Sequence, residues 1–168
     1  MRVFTEYQRF TQPLILIALS IAFIVASVLT FEDWNSVEPS NIGEQIFFLR
    51  AIIIISLVVV LFIFMKLETR VDEKGIYYQF FPFSFKLKLI PWNTIHKCHL
   101  RKYNAIFEYG GWGLKFSFSG KNGKAFTTKG SIGLQLILKN GKKILIGTQK
   151  KEELQRTLDT YNHKITNG

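Results

Sequence analysis

The apolar run at residues 46–66, IFFLRAIIIISLVVVLFIFMK, constrains this chain most, because so long a stretch has few ways to avoid water. Its uncharged part, residues 51–65, would be roughly 22 Å long as a helix at ~1.5 Å per residue, which is shorter than a hydrocarbon core of about 30 Å. Extension back to Ile46 restores the length but includes Arg50. The run predicts a membrane span at residues 46–65, with Arg50 as an interfacial anchor or, alternatively, a buried functional charge.

A second apolar run covers residues 13–31, PLILIALSIAFIVASVLTF, and contains no charge. Pro13 is compatible with a first helical position, where its missing N–H would be unpaired anyway. Ala18, Ala22 and Ala26 recur every four residues and so share one helix face, which either allows close helix packing or reflects the abundance of alanine in spans. The run predicts a first span, and its length disfavours the alternative of a cleaved signal peptide.

The charges around the two runs predict their orientation. The connector at residues 32–45 holds four acidic residues and no basic one, whereas basic residues flank the opposite ends of both runs at Arg2, Arg9, Lys66 and Arg70. Because basic residues stay on the cytoplasmic side, residues 1–66 are expected to form a transmembrane hairpin with both termini cytoplasmic.

Residues 66–168 carry nineteen basic and seven acidic residues, a net charge of +12. A basic domain beside a bilayer is attracted to anionic lipid, at about 1 kcal/mol per basic residue near the surface. We prefer this explanation to nucleic-acid binding, which a pI near 9.8 would also fit. The single cysteine, Cys98, excludes an intramolecular disulfide.

After Lys66 the pattern changes to alternating apolar and polar residues, which is typical of half-buried strands. Two Lys-Asn-Gly-Lys segments, at residues 121–124 and 139–142, predict hairpin turns of type I′. The run at residues 149–161 places Leu154, Leu158 and Tyr161 on one helical stripe after a possible N-cap at Thr148. The expected strands are residues 67–71, 76–81, 85–89, 94–103, 114–119, 125–129, 134–138 and 143–147.

This order of elements predicts a mainly antiparallel β-sandwich or partly open barrel of about seven strands, with a C-terminal capping helix. Residues 67–168 resemble the bacterial pleckstrin-homology-like (PH-like) domains, and residues 1–66 resemble the hairpin of their membrane-anchored members. The resemblance rests on four segments: IPWNTI at 90–95, YGGWG at 109–113, KGSIGLQL at 129–136 and NGKKILIGTQ at 140–149.

The resemblance implies an integral protein of the bacterial cytoplasmic membrane whose cytoplasmic domain binds or assembles partners and needs no cofactor. Eukaryotic relatives bind phosphoinositides through a basic first hairpin, but here that hairpin reads Asp-Glu-Lys-Gly at residues 72–75. The phosphoinositide site is therefore not carried over to this chain.

Little in the sequence points to catalysis or to a metal. His96, Cys98 and His99 form one short cluster without a second set of ligands, and strand alternation would put His99 on the face opposite His96 and Cys98. The glycines at 110, 111 and 113 precede a strand-like run rather than a helix, so they predict a bend or bulge and not a nucleotide loop.

Basic residues on the predicted strands are candidates for contact with a partner, although lysines also keep sheet edges soluble. Trp112 is added as an aromatic contact, with a place in the core or over it as the alternative. The candidate contacts are Lys86, Lys88, Lys97, Arg101, Lys102, Trp112 and Lys115.

These observations predict a non-enzymatic, membrane-anchored PH-like module that acts in binding or scaffolding. Its expected partners are the bilayer, anionic lipid headgroups, and a membrane protein or a second copy of the chain. The alternative function is an oligomeric small pore or a transporter accessory subunit, with the β domain as cytoplasmic regulator, although the spans offer few polar residues for an ion path.

Overall fold

The computed structural model describes residues 2–10, 13–36, 42–117 and 123–166. The chain divides into two units, one formed by Met1–Phe10 with Met65–Gly168 and the other by Thr11–Phe64. The first unit contains all nine strands of the described residues, and the second contains two helices.

The first unit begins with a strand that the sequence pattern did not predict, β1 (Phe4–Arg9). It pairs antiparallel with β2 (Lys66–Val71), so that Arg9 lies opposite Lys66. The helical unit is therefore inserted between two neighbouring strands of one sheet. The inward side of β1 carries Glu6 and Gln8, both buried. Because these inward side chains are polar, apolar and polar residues do not alternate along β1, and a hydropathy pattern does not predict the strand.

The first sheet continues with β3 (Gly75–Phe81) and β4 (Lys88–Pro91), in the spatial order β1-β2-β3-β4 with antiparallel neighbours. A 3₁₀ turn, Trp92–Thr94, then leads to the second sheet. The predicted strand at residues 85–89 is displaced towards its C-terminal end, because residues 82–87 form the loop between β3 and β4.

The second sheet contains β5 (Ile95–Lys102), β6 (Gly113–Phe116), β7 (Lys124–Thr127), β8 (Ile132–Leu138) and β9 (Lys143–Gly147), in the order β5-β8-β9-β7-β6. Its neighbours are antiparallel except β7 and β9, which are parallel. The two sheets meet at Tyr78 and Phe126, whose ring centroids are 4.8 Å apart.

The β8–β9 hairpin that Asn140 and Gly141 predict is confirmed. Its turn is not of type I′, since among the described residues only glycines have positive φ, Gly141 with φ +80°. The β6–β7 pair is antiparallel as expected, but residues 121 and 122 of the turn predicted at 121–124 lie outside the described residues.

Three further helices complete the first unit: α3 (Ala105–Tyr109), α4 (Lys151–Tyr161) and α5 (His163–Thr166). The amphipathic helix predicted near the C-terminus corresponds to α4, which buries Leu154, Leu158 and Tyr161. Tyr161 stacks on Trp92 with 5.6 Å between ring centroids, and the Trp92 indole N–H donates to the carbonyl oxygen of Asp72 at 2.9 Å. The helix thereby covers the end of the first sheet where β2 turns into β3.

The second unit pairs α1 (Pro13–Ser36) with α2 (Ile42–Phe64). Over the described residues, no helix combines the length and the hydropathy that crossing a bilayer requires. This finding contradicts the predicted transmembrane hairpin with spans at residues 13–31 and 46–65. It likewise contradicts the predicted integral protein of the bacterial cytoplasmic membrane with both termini cytoplasmic.

The folded helices do not coincide with the apolar runs. Helix α1 continues through Glu32 and Asp33, and α2 begins before Glu44. Helix α2 ends at Phe64, because Met65 is buried in the first unit and its carbonyl oxygen accepts a hydrogen bond from the Phe10 N–H at 3.1 Å. Hydropathy describes a run of residues, whereas the helix boundaries depend on such contacts with distant parts of the chain.

The predicted fold class is therefore wrong, both in its transmembrane hairpin and in its single sandwich of about seven strands. The described residues form nine strands in two sheets, one antiparallel and one mixed, with five helices. In α1, Ala18 and Ala22 are exposed and Ala26 is half-buried, so the three alanines do not form a buried packing seam.

Candidate binding surface

The fold distributes the predicted contact residues over three places instead of one face. Lys86 and Lys88 lie in the loop before β4 and at its first residue. The strand β5, one edge of the second sheet, carries the predicted residues Lys97, Arg101 and Lys102, and the opposite edge, β6, carries Lys115. A single basic face made of all these residues is not present.

Arg101 is held by neighbours within the protein. Its guanidinium donates to both carboxylate oxygens of Glu108, at 3.2 and 2.7 Å, to the Gln135 side-chain oxygen at 3.0 Å and to the Tyr109 hydroxyl at 3.2 Å. The Arg101 hydrogen bonds hold the pKa of Glu108 below its usual value. Arg101 thus fixes α3 on the sheet and has little capacity left for a ligand.

Trp112 is half-buried against a small core cluster that includes Tyr109 and Leu145. Its indole N–H donates to the carbonyl oxygen of Gly130 at 3.0 Å. Gly110, with φ +74°, caps α3 two residues before Trp112. Trp112 therefore closes the side of the sheet that α3 covers, which agrees with the packing alternative given for it above.

His96, Cys98 and His99 lie on β5 and are not gathered into one group. Among the described residues no group of three potential ligands comes together. The β5–β8 register shifts between Ile95 and Lys97, which interrupts the alternation assumed for His96. Burial raises the pKa of the Cys98 thiol to about 12, so at neutral pH it is not a thiolate nucleophile.

An exposed apolar surface of the first unit lies beside lysines in the segment Phe83-Ser84-Phe85-Lys86-Leu87-Lys88-Leu89, here called the Phe–Lys segment. Phe85 is 77% exposed and Phe83 is 55% exposed. Leu87 and Leu89, which the alternating pattern assigned to a core-facing side, are also exposed. Sequence periodicity identifies this segment but wrongly predicts that its apolar side chains are buried. They are exposed because the loop places Phe85 and Leu87 beyond the edge of the sheet.

The conformation of the Phe–Lys segment is fixed by local contacts. The Ser84 N–H donates to the Phe80 carbonyl oxygen at 2.8 Å, and the Gln79 side-chain N–H donates to the Ser84 carbonyl oxygen at 3.1 Å. The Phe85 ring packs edge-on against Phe81, with centroids 5.4 Å apart. The segment is a structured loop that presents its side chains outward.

The lysines of this segment have no acidic partner among the described residues. The ion pairs within those ranges are Arg70–Asp72, Arg101–Glu108 and Lys150–Glu153. Lys66 lies beside the segment, with its ammonium group 5.4 Å from the centroid of the Phe81 ring. Exposed phenylalanine and leucine therefore alternate with uncompensated positive charge, a combination that suits a partner with both apolar and anionic parts.

The acidic turn at residues 72–75 has a structural role. The Asp72 carboxylate accepts from the Lys74 N–H at 2.9 Å and pairs with Arg70 at 3.1 Å.

Comparison of the chain with models of known protein families, and with curated protein sequences, finds no match.

Proposed function

We propose that the first unit is a non-enzymatic binding module of the PH-like type that contacts anionic lipid headgroups through the Phe–Lys segment. The observation that carries the proposal is the alternation of exposed Phe85 and Leu87 with exposed Lys86 and Lys88 on one ordered loop. The PH-like assignment rests on the resemblance of the four sequence segments at residues 90–95, 109–113, 129–136 and 140–149.

Anionic lipid matches both properties of the loop. A lysine close to such a surface contributes about 1 kcal/mol, and transfer of an exposed phenylalanine side chain out of water contributes about 1.5–3 kcal/mol when burial is complete. An acidic protein surface would satisfy Lys86 and Lys88 but would leave Phe85 exposed unless it also offered an apolar pocket. The lipid interface offers both without a dedicated pocket.

The test is co-sedimentation of the full-length protein with vesicles of phosphatidylcholine alone and of phosphatidylcholine mixed with phosphatidylglycerol. We expect stronger binding to the anionic vesicles, and a loss of binding between about 0.1 M and about 0.5 M NaCl, because salt screens exposed charges. Phe85→Ser combined with Lys86→Gln should reduce the difference in binding between anionic and neutral vesicles.

The matched control is Phe107→Ser combined with Lys102→Gln. Phe107, on α3, is 83% exposed and Lys102 is exposed on β5. The control therefore also removes one exposed phenylalanine and one exposed lysine, but at another place on the first unit. Equal binding to neutral and anionic vesicles, or equal losses in both double variants, would contradict the proposal. Binding that requires an added acidic protein would instead identify a protein partner.

A further inference from the structure

The described residues of the two Lys-Asn-Gly-Lys segments, which are 18 positions apart in sequence, line one cleft between the sheets. The described residues Gly123 and Lys124 come from the first segment, and Gly141 and Lys142 come from the second. The parallel pairing of β7 with β9 brings them together, since Lys124 lies opposite Ile144 at the start of both strands. Described residues of both segments therefore border the same space.

This space, here called the basic cleft, has a volume of about 720 Å³. That volume falls within the ~300–1,000 Å³ typical of small-molecule sites. No acidic side chain is among its described lining residues. The cleft is lined by Tyr78, Phe116, Ser117, Gly123, Lys124, Gly141, Lys142, Lys143 and Ile144.

The floor of the basic cleft is apolar and firmly packed. Tyr78 is 9% exposed and its ring contacts Phe126 of the facing sheet at 4.8 Å between centroids. Gly123 permits the close approach of its backbone to that of Lys143, because a Cβ at this position would come within 2.1 Å of the Lys143 carbonyl oxygen. The shape of the cleft thus depends on the backbone at Gly123 and Lys143.

The rim of the basic cleft is cationic. The Lys124 ammonium lies 5.0 Å from the centroid of the Phe116 ring, which orients the charge beside an aromatic surface. None of Lys124, Lys142 and Lys143 belongs to the ion pairs found within the described residues. Positive charge therefore surrounds an apolar floor without an internal acid to neutralise it.

We propose that the basic cleft binds a phosphate-bearing amphiphile. Its phosphate oxygens accept hydrogen bonds from the ammonium groups of Lys124, Lys142 and Lys143, and its hydrocarbon part lies against Tyr78, Phe116 and Ile144. Charge-assisted hydrogen bonds of this kind are stronger than neutral ones. The site is separate from the Phe–Lys segment, so its occupancy does not require the vesicle contact proposed above.

The test is a titration of the full-length protein, followed by NMR of backbone amides, with octyl phosphate below its micelle concentration. Inorganic phosphate and octanol are titrated in parallel. We expect saturable binding of octyl phosphate with shifts at Lys124, Lys142 and Ile144, and roughly tenfold weaker binding after Lys124→Gln combined with Lys142→Gln. Lys97→Gln combined with Lys102→Gln, on the edge strand β5, is the control and should leave the affinity unchanged.

The three ligands distinguish the sources of the phosphate group. Tighter binding of octyl phosphate than of inorganic phosphate supports the proposed amphiphile, whereas equal affinities with shifts at the same residues would overturn the contact with a hydrocarbon part and indicate a free phosphate ester. Octanol binding as tightly as octyl phosphate, equal losses in the two double variants, or no saturable binding would overturn the proposal. Each of these results is independent of vesicle co-sedimentation.

Discussion

The Thr148 hydroxyl donates a hydrogen bond of 2.6 Å to the Glu6 carboxylate, across 142 positions of sequence. The other Glu6 oxygen accepts from the Gln149 N–H at 2.8 Å. Both Glu6 and Thr148 are buried, so β1 is bound by polar contacts to the end of β9 and to the residues that precede α4. The N-terminal strand is therefore part of the core of the first unit.

Replacement of the buried carboxylate should destabilise the first unit. We expect Glu6→Gln to lower the free energy of unfolding by about 1–3 kcal/mol. The substitution replaces one accepting carboxylate oxygen by an amide NH2 group, which then lies opposite another hydrogen-bond donor. Urea denaturation measures the change. Glu68→Gln, on the half-buried outer side of β2, is the control and should cost less than about 0.5 kcal/mol. Equal effects would show that the buried hydrogen bonds contribute nothing.

Two glycine positions allow the cost of a left-handed backbone conformation to be distinguished from the cost of a steric clash. Gly123 (φ +71°) and Gly141 (φ +80°) share a left-handed conformation, but only at Gly123 would a Cβ meet neighbouring backbone, the Lys143 carbonyl oxygen at 2.1 Å. We expect Gly141→Ala to cost about 1 kcal/mol and Gly123→Ala to cost clearly more. Thermal unfolding of the two variants, compared with the parent, tests this order. A larger loss in Gly141→Ala would contradict the close approach of Gly123 to Lys143.

The Arg101–Glu108 ion pair should make stability depend on pH in a defined direction. The folded-state pKa of Glu108 is lowered, chiefly by the Arg101 hydrogen bonds, so its contribution is present above the unfolded pKa of about 4.3 and disappears as pH falls through the folded pKa. We expect Glu108→Gln to be less stable than the parent at pH 7, and the difference to shrink below about pH 4.

The measurement is urea unfolding of both proteins at several pH values. Glu153→Gln is the control, because its pair with Lys150 is about half exposed and should contribute less than about 0.5 kcal/mol. A difference for Glu108→Gln that stays constant down to pH 3 would show that the carboxylate charge is not the source of the effect.

The single thiol should react slowly in the folded protein. Burial raises the pKa of Cys98 to about 12, so the thiolate is scarce at pH 8. We expect alkylation by iodoacetamide at least about a hundredfold slower than for an exposed cysteine, and rapid alkylation in urea. Mass spectrometry follows the reaction, and Ser131→Cys in a Cys98→Ala background supplies the exposed reference. A native rate equal to this reference would contradict the raised pKa of the Cys98 thiol.

The sequence determined those elements whose signal is local. Alternating residues with Asn140-Gly141 between them are sufficient for the β8–β9 hairpin, since the Gly141 N–H donates to the nearby Leu138 carbonyl oxygen and the Asn140 side chain accepts from the Lys142 N–H. The stripe of Leu154, Leu158 and Tyr161 is likewise sufficient for α4. Turn chemistry and periodicity act within a few residues, so both can be predicted from sequence.

Tertiary structure decided what depends on distant parts of the chain. The strand β1 is defined by pairing with β2 more than fifty positions later and by the Glu6 contacts with Thr148 and Gln149, which no local pattern contains. Strand order placed Lys97 and Lys115 at opposite edges of one sheet, although each fits a basic strand face equally well by sequence. The parallel pairing of β7 with β9 brought Lys124 and Lys142 to one cleft. Hydropathy and charge report a residue's preference for water, but long-range hydrogen bonding and packing determine which residues become neighbours.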